Sequence, residues 1–147
     1  MFNVWVINGP NINMLGKRQP HIYGEQTLKC LMAALHDKAQ DLKLAVDCRQ
    51  SNHEGQLIDW LQQAADQAQA VIINAGGLTH TSISLHDALE NLTLPKVEVH
   101  LSNIYAREEF RQKSFISPVV NAVIAGCGQK GYILALEYIH TLIQAQK

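Results

Sequence analysis

Short, almost wholly apolar runs alternate along this chain with amphipathic stretches of helical period, and that alternation restricts the fold more than any other feature. Residues 3–7 read as a buried strand, stopped by Asn8-Gly-Pro-Asn11. A polar loop punctuated by Gly and Pro follows to about residue 24. Residues 27–40 then carry Leu28, Leu31, Met32 and Leu35 at helical spacing. Residues 42–48 predict a second strand, and 57–70 a second helix with Leu57, Ile58, Leu61 and Ala65 on one face. Two more short strands, 71–73 and 97–100, flank a helix over 82–91. A last strand over 119–125 leads into a closing helix over 132–144. Strands that are apolar throughout are covered on both faces, and strands that alternate with helices run parallel.

About five such units in 147 residues predict an α/β, flavodoxin-like fold, a five-stranded parallel sheet with helices on both faces. No repeat, linker or low-complexity segment interrupts it, so one domain over 1–147 is expected. In open parallel sheets the ligand lies beyond the carboxyl ends of the strands. That rule gathers Asn8 and Asn11, Ser51 and Asn52, residues 74–82 and residues 100–103 on one rim. The rim is rich in amides, hydroxyls, imidazoles and arginine and poor in carboxylates and thiols. Such chemistry suits a small, polyhydroxylated anion.

Composition removes several classes. The formal net charge of -1 offers no excess of positive charge to nucleic acid or an acidic membrane surface. The three cysteines, Cys30, Cys48 and Cys127, are scattered without a CxxC pair, which fits free thiols in a reducing compartment. The start lacks a basic region followed by a long apolar run, and no window reaches the length of a membrane span. A soluble, cytoplasmic protein is expected. No cysteine–histidine spacing suits zinc, so no metal site is expected. Gly126-Cys-Gly128-Gln-Lys-Gly131 matches GxGxxG in form, but a dinucleotide site needs a further strand with an acidic residue about 20 positions on. The chain ends at Lys147 in what reads as helix, so these glycines are read as a tight turn.

Several local patterns can carry chemistry, most of them with a plainer reading alongside. Tyr23 serves as a base only as a phenolate, and Arg18 in the same loop would favour that form; the spacing fits a packed loop tyrosine equally well. His80, between two threonines, is a ligand group or a solvated side chain, and Thr81 or Ser82 caps the next helix. Glu98 and His100 point to the same face of one strand, where a carboxylate fixes an imidazole's tautomer and favours its protonated form. That pair is a general acid in waiting or a core ion pair. Beyond it, the backbone N–H groups of Leu101 and Ser102 can cradle a carboxylate. The run Arg107-Glu-Glu-Phe-Arg111 reads as an exposed helix face.

Taken together, these segments resemble the type II dehydroquinases over essentially the whole chain. The resemblance is carried by Asn8-Gly-Pro-Asn11, Arg18-x-Pro-x-x-Tyr-Gly24, Gln50-Ser-Asn-x-Glu-Gly55 and Asn74-Ala-Gly-Gly-Leu-Thr-His-Thr-Ser82. It continues through Asp87-Ala88, Glu98-Val-His-Leu-Ser-Asn103, Arg107-Glu-Glu-Phe-Arg111 and Gly126-x-Gly-x-x-Gly-Tyr132. His86 departs from it, standing where relatives often carry arginine. The resemblance implies a flavodoxin-like catalytic domain that converts 3-dehydroquinate to 3-dehydroshikimate by anti elimination through an enolate, without cofactor, metal or Schiff base. It assigns Tyr23 as base, Arg18 as partner of the phenolate, and Asn11 as holder of a water at the enolate oxygen. It makes His100, oriented by Glu98, the acid. Asn74, His80 and Arg111 match residues that bind substrate hydroxyls, Leu101 and Ser102 the carboxylate cradle, and Asp87 a group that reaches an adjacent subunit's site. It also implies a homo-oligomer, a dodecamer built from trimers, in the shikimate pathway or quinate breakdown.

Two rival readings of the same fold are a receiver module and an FMN-binding module. A receiver calls for clustered acids after the first strand, where this chain has Asn8 and Asn11. An FMN module calls for a Ser/Thr-rich phosphate loop there, and the protein would be yellow.

Overall fold

The computed structural model describes residues 1–17, 21 and 26–146. Five apolar segments become β1 (Phe2–Asn8), β2 (Leu44–Gln50), β3 (Ala70–Asn74), β4 (Lys96–His100) and β5 (Ala122–Ala125). They form one parallel sheet in the order β2-β1-β3-β4-β5. The order reverses between β1 and β3, and there the connections leave to opposite faces and open a crevice. Asn8 and Asn74, the last residues of those strands, are register partners.

Four helices cover the sheet: α1 (Leu28–Asp41), α2 (Glu54–Gln67), α3 (Ile83–Glu90) and α4 (Lys130–Ala145). Leu31, Met32 and Leu35 of α1 join Tyr132, Leu136 and Ile139 of α4 on one face. Leu57 and Leu61 of α2 join Leu85 and Leu89 of α3 on the other. Residues of β1 and β3 alternate between the two cores, which is why both strands read as unbroken apolar runs. Trp5, Ile7, Ile72 and Ile73 are fully buried, each worth roughly 1.5–3 kcal/mol against exposure. The hydroxyl of Thr27 accepts from the Cys30 N–H and that of Ser82 from the Leu85 N–H, so α1 and α3 begin just after them. Ser82 is therefore the cap.

The differences from expectation have local causes. Lys43 takes φ 59 at the exit of α1, so β2 starts at Leu44. Helix α2 is displaced toward the N-terminus and turns Ala64, not Ala65, into the core. Residues Ser117–Val119 form a 3-10 turn in which the Val119 N–H bonds back to the Ile116 carbonyl, so β5 starts only at Ala122. As an edge strand β5 also leaves Val123 exposed. No helix among the described residues is long and apolar enough to cross a membrane.

Candidate active site

A cleft open to solvent at its mouth lies at the carboxyl end of the sheet. Asn11, Asn74, His80, His100, Leu101, Ser102 and Arg111 line it, so most residues singled out from sequence converge. Pro10, Ile12, Met14, Leu15 and Ile104 supply an apolar wall. Its described lining holds two histidines and two arginines, Arg107 and Arg111, and no carboxylate. Such a wall favours an anionic guest. Arg18 and Tyr23 lie outside the described residues. Asp87 is exposed on α3 beside His86 and does not line the cleft.

Glu98 sits beneath the floor with no exposure. Two positions along β4 bring it to the same face as His100, whose Nε2 donates to Glu98 Oε2 at 2.5 Å. Thr79 Oγ1 donates to the same oxygen at 2.6 Å, Ser114 Oγ at 3.3 Å, and Ser117 Oγ reaches Oε1 at 2.5 Å. Burial by itself raises this carboxyl's pKa. The hydrogen bond and charge of His100, with the Ser117 and Thr79 hydroxyls, outweigh it and hold the group below its ordinary range. The ionised carboxylate spends its lone pairs on these donors, and His100 is fixed with Nδ1 as the ring nitrogen left for the cleft.

His80 stacks beside His100, ring centroids 6.4 Å apart. Its Nδ1 lies 2.7 Å from the Lys113 carbonyl oxygen, which only accepts, so Nδ1 carries a proton and Nε2 is left as an acceptor. Burial lowers the His80 pKa; the Lys113 carbonyl and Glu98 oppose this, while His100 and Arg111 reinforce it. The ring is thus neutral at pH 7 and suited to meeting a hydroxyl.

The arginines correct the exposed-helix expectation. Residues 104–106 and 109–112 are separate 3-10 turns, with Arg107 extended between them. Both side chains fold inward, 14% and 19% exposed. Arg107 Nη1 donates to Ser102 Oγ at 3.3 Å, and Arg111 Nε to Glu108 Oε2 at 2.7 Å. Sequence reading missed Arg107 because nothing in a charge run announces a break between two turns.

Ser51 and Asn52 do meet the same rim, the Ser51 N–H donating to the Asn8 carbonyl, but neither lines the cleft itself. Strand β2 lies one place away from the crevice, and its end serves as a buttress. Asn52 Oδ1 accepts from the Asn11 N–H at 3.0 Å, and Gln50 Nε2 donates to the Gly9 carbonyl at 3.2 Å. These contacts hold Asn11 at φ 71 on the cleft rim. The Gly126–Gly128 loop is a buttress too: its N–H groups donate to the carbonyls of His100 and Leu101. The turn reading of those glycines fits this arrangement.

Comparison with known proteins adds ancestry to this geometry. A family model described as "Dehydroquinase class II" matches residues 2–140. The 3-dehydroquinate dehydratase of Rhizobium johnstonii is 52% identical over 139 residues, 95% of this chain and 96% of that protein. The 3-dehydroquinate dehydratase of Mycobacterium tuberculosis is 53% identical over 134 residues, 91% of each. The crystal structure of the type II dehydroquinase from Propionibacterium acnes superposes with a TM-score of 0.94 at 45% identity. That match covers 96% of this chain and 97% of that one.

Proposed function

This chain belongs to the class II dehydroquinase family, and from that premise we propose that it removes water from 3-dehydroquinate to give 3-dehydroshikimate. One observation carries the reading beyond ancestry. A buried, ionised Glu98 holds the His100 ring in a single orientation at the floor of a cleft walled by arginines, amides and a neutral histidine.

The reaction needs a base for the proton alpha to the ketone and an acid for the departing hydroxyl, on opposite faces of the ring. Tyr23, as phenolate beside Arg18, takes the proton; both assignments rest on the motif Arg18-x-Pro-x-x-Tyr-Gly24. The electron pair collects on the ketone oxygen as an enolate, where a water held by Asn11 stabilises it. The C–O bond then breaks as His100, entering the step as imidazolium, gives its Nδ1 proton to the hydroxyl, which leaves as water, while the Nε2 proton stays on the bond to Glu98. Asn74, His80 and Arg111 bind ring hydroxyls, and Leu101 with Ser102 receive the carboxylate. In this reading residues 1–147 form a single catalytic domain that works without cofactor or metal, and Asp87 completes the site of a neighbouring copy. The same reading places the enzyme in the cytoplasm, as a dodecamer of trimers, in the shikimate pathway or quinate breakdown.

Adding 3-dehydroquinate should produce the near-ultraviolet absorbance of the conjugated product at a rate proportional to protein concentration. Folded protein that leaves the absorbance flat would overturn the reading.

A further inference from the structure

At the point where the sheet order reverses, three polar side chains from separate elements meet out of reach of solvent. Asn8 ends β1, Asn74 ends β3 and Tyr132 stands in the first turn of α4; their exposures are 0%, 3% and 0%. The Tyr132 hydroxyl donates to Asn8 Oδ1 at 2.6 Å and accepts from Asn74 Nδ2 at 2.9 Å. At the far ends, the Gly76 N–H donates to Asn74 Oδ1 at 3.2 Å, and Asn8 Nδ2 donates to the Arg49 carbonyl at 3.4 Å.

An amide side chain can present its oxygen and nitrogen either way round, and a hydroxyl can turn. Here both termini of the chain are one-way groups: a backbone N–H only donates and a carbonyl only accepts. The direction of every intervening bond follows. Reversing Asn74 would set its NH2 against the Gly76 N–H and its oxygen against a Tyr132 hydroxyl whose proton is already given to Asn8, so the two contacts together hold the amide one way round. One N–H and one lone pair of Asn74 remain uncommitted, and Asn74 lines the cleft. Filling this space needs only a phenyl ring, so packing does not account for the hydroxyl. Burial drives its pKa far up, so it stays a neutral donor and acceptor throughout the working pH range.

We propose that Tyr132, anchored by Asn8, is a positioning residue that locks the Asn74 amide in one orientation, so that the substrate hydroxyl meets a donor already in place. The substrate part of this inference rests on the dehydratase reading; the locked amide does not.

The test is a double-mutant cycle with an independent spectroscopic arm. Tyr132→Phe should raise KM about tenfold, because a freed amide must be reordered on binding, and should change kcat less than about threefold. In an Asn74→Ala background the same substitution should add almost nothing to KM. Asn8→Leu, with Tyr132 intact, should reproduce the KM rise, since the hydroxyl is then free to turn toward Asn74. In 15N spectra the Asn74 side-chain NH2, identified by its loss in Asn74→Ala, should exchange slowly in wild type and quickly in Tyr132→Phe. Equal KM increases with and without the Asn74 amide would overturn the proposal, as would an NH2 signal indifferent to Tyr132→Phe. Wild-type protein with no turnover but a Tyr132-dependent NH2 signal would sink the dehydratase reading while supporting the lock.

Discussion

Glu98, fully buried, accepts from an imidazole and three hydroxyls. Its ordinary pKa of 4.5 is lowered in the fold, so over the acid range the unfolded chain binds more protons. The stability it contributes is complete above that ordinary value and is lost as the pH falls through the lower folded one. Glu98→Gln should therefore flatten the acid limb of the melting temperature against pH. It should also cost about 3 kcal/mol at neutral pH, as breaking a buried charge network does. An acid limb as steep as that of wild type would refute this account. The chemical consequence lies at His100. In His100→Ala, loss of hydroxide should slow more than exchange of the alpha proton into deuterated solvent, since only the leaving group needs the acid. Equal slowing, followed by NMR, would make His100 a binding group instead. The Glu98–His100 pair was legible because i and i+2 on a strand share a face. Thr79, Ser114 and Ser117 were not, because loops distant in sequence bring them in. Tyr132 figured in the sequence only as the end of a glycine motif, its hydroxyl's partners being remote along the chain.

Elements carry that precision to the cleft by pressing two loops together. A Cβ on Gly9 would stand 2.6 Å from the Ala75 carbonyl oxygen; one on Gly76, at φ +60, would stand 2.7 Å from that of Pro10. Both obstacles are backbone, so neither can step aside cheaply. Gly9→Ala should cost about 1–3 kcal/mol, a melting temperature lower by roughly 3–10 °C. Gly55→Ala is the control: it lies in the first turn of α2 with nothing near its Cβ, and should be neutral or slightly stabilising. Thermal melts of the two variants decide it; equal effects would mean that the loops are not in tight contact. The strands themselves were legible, since a sheet covered on both faces leaves unbroken apolar runs. Their ends were less so. The start of β5 is set by the 3-10 turn over Ser117–Val119, and that of β2 by the left-handed Lys43, and neither leaves a mark in hydrophobic periodicity.

At the scale of the whole molecule, the proposed sharing of sites between copies turns on Asp87. The carboxylate stands on α3, 64% exposed, with His86 Nδ1 at 3.1 Å, and it takes no part in the lining of its own cleft. The exposed Ile83 lies on the same helix, 61% accessible in the isolated chain. In the proposed homo-oligomer a carboxylate so placed would reach a site across an interface, and closed symmetry would repeat that contact around the ring. Asp87→Ala should then lose activity while keeping the melting temperature of its separated subunits. Tyr23→Phe should lose about 10²–10⁴-fold of turnover through the missing base. Subunits of the two variants, dissociated, mixed in equal amounts and reassembled, should recover activity that neither parent has. A site is whole when its own chain keeps Tyr23 and its neighbour keeps Asp87, which random assembly grants to about a quarter of sites. Recovery near a quarter of wild-type activity, with mixed assemblies verified by native mass spectrometry, is the expected result. Mixed assemblies no more active than their parents would confine Asp87 to its own subunit and leave the cleft to be completed from within one chain.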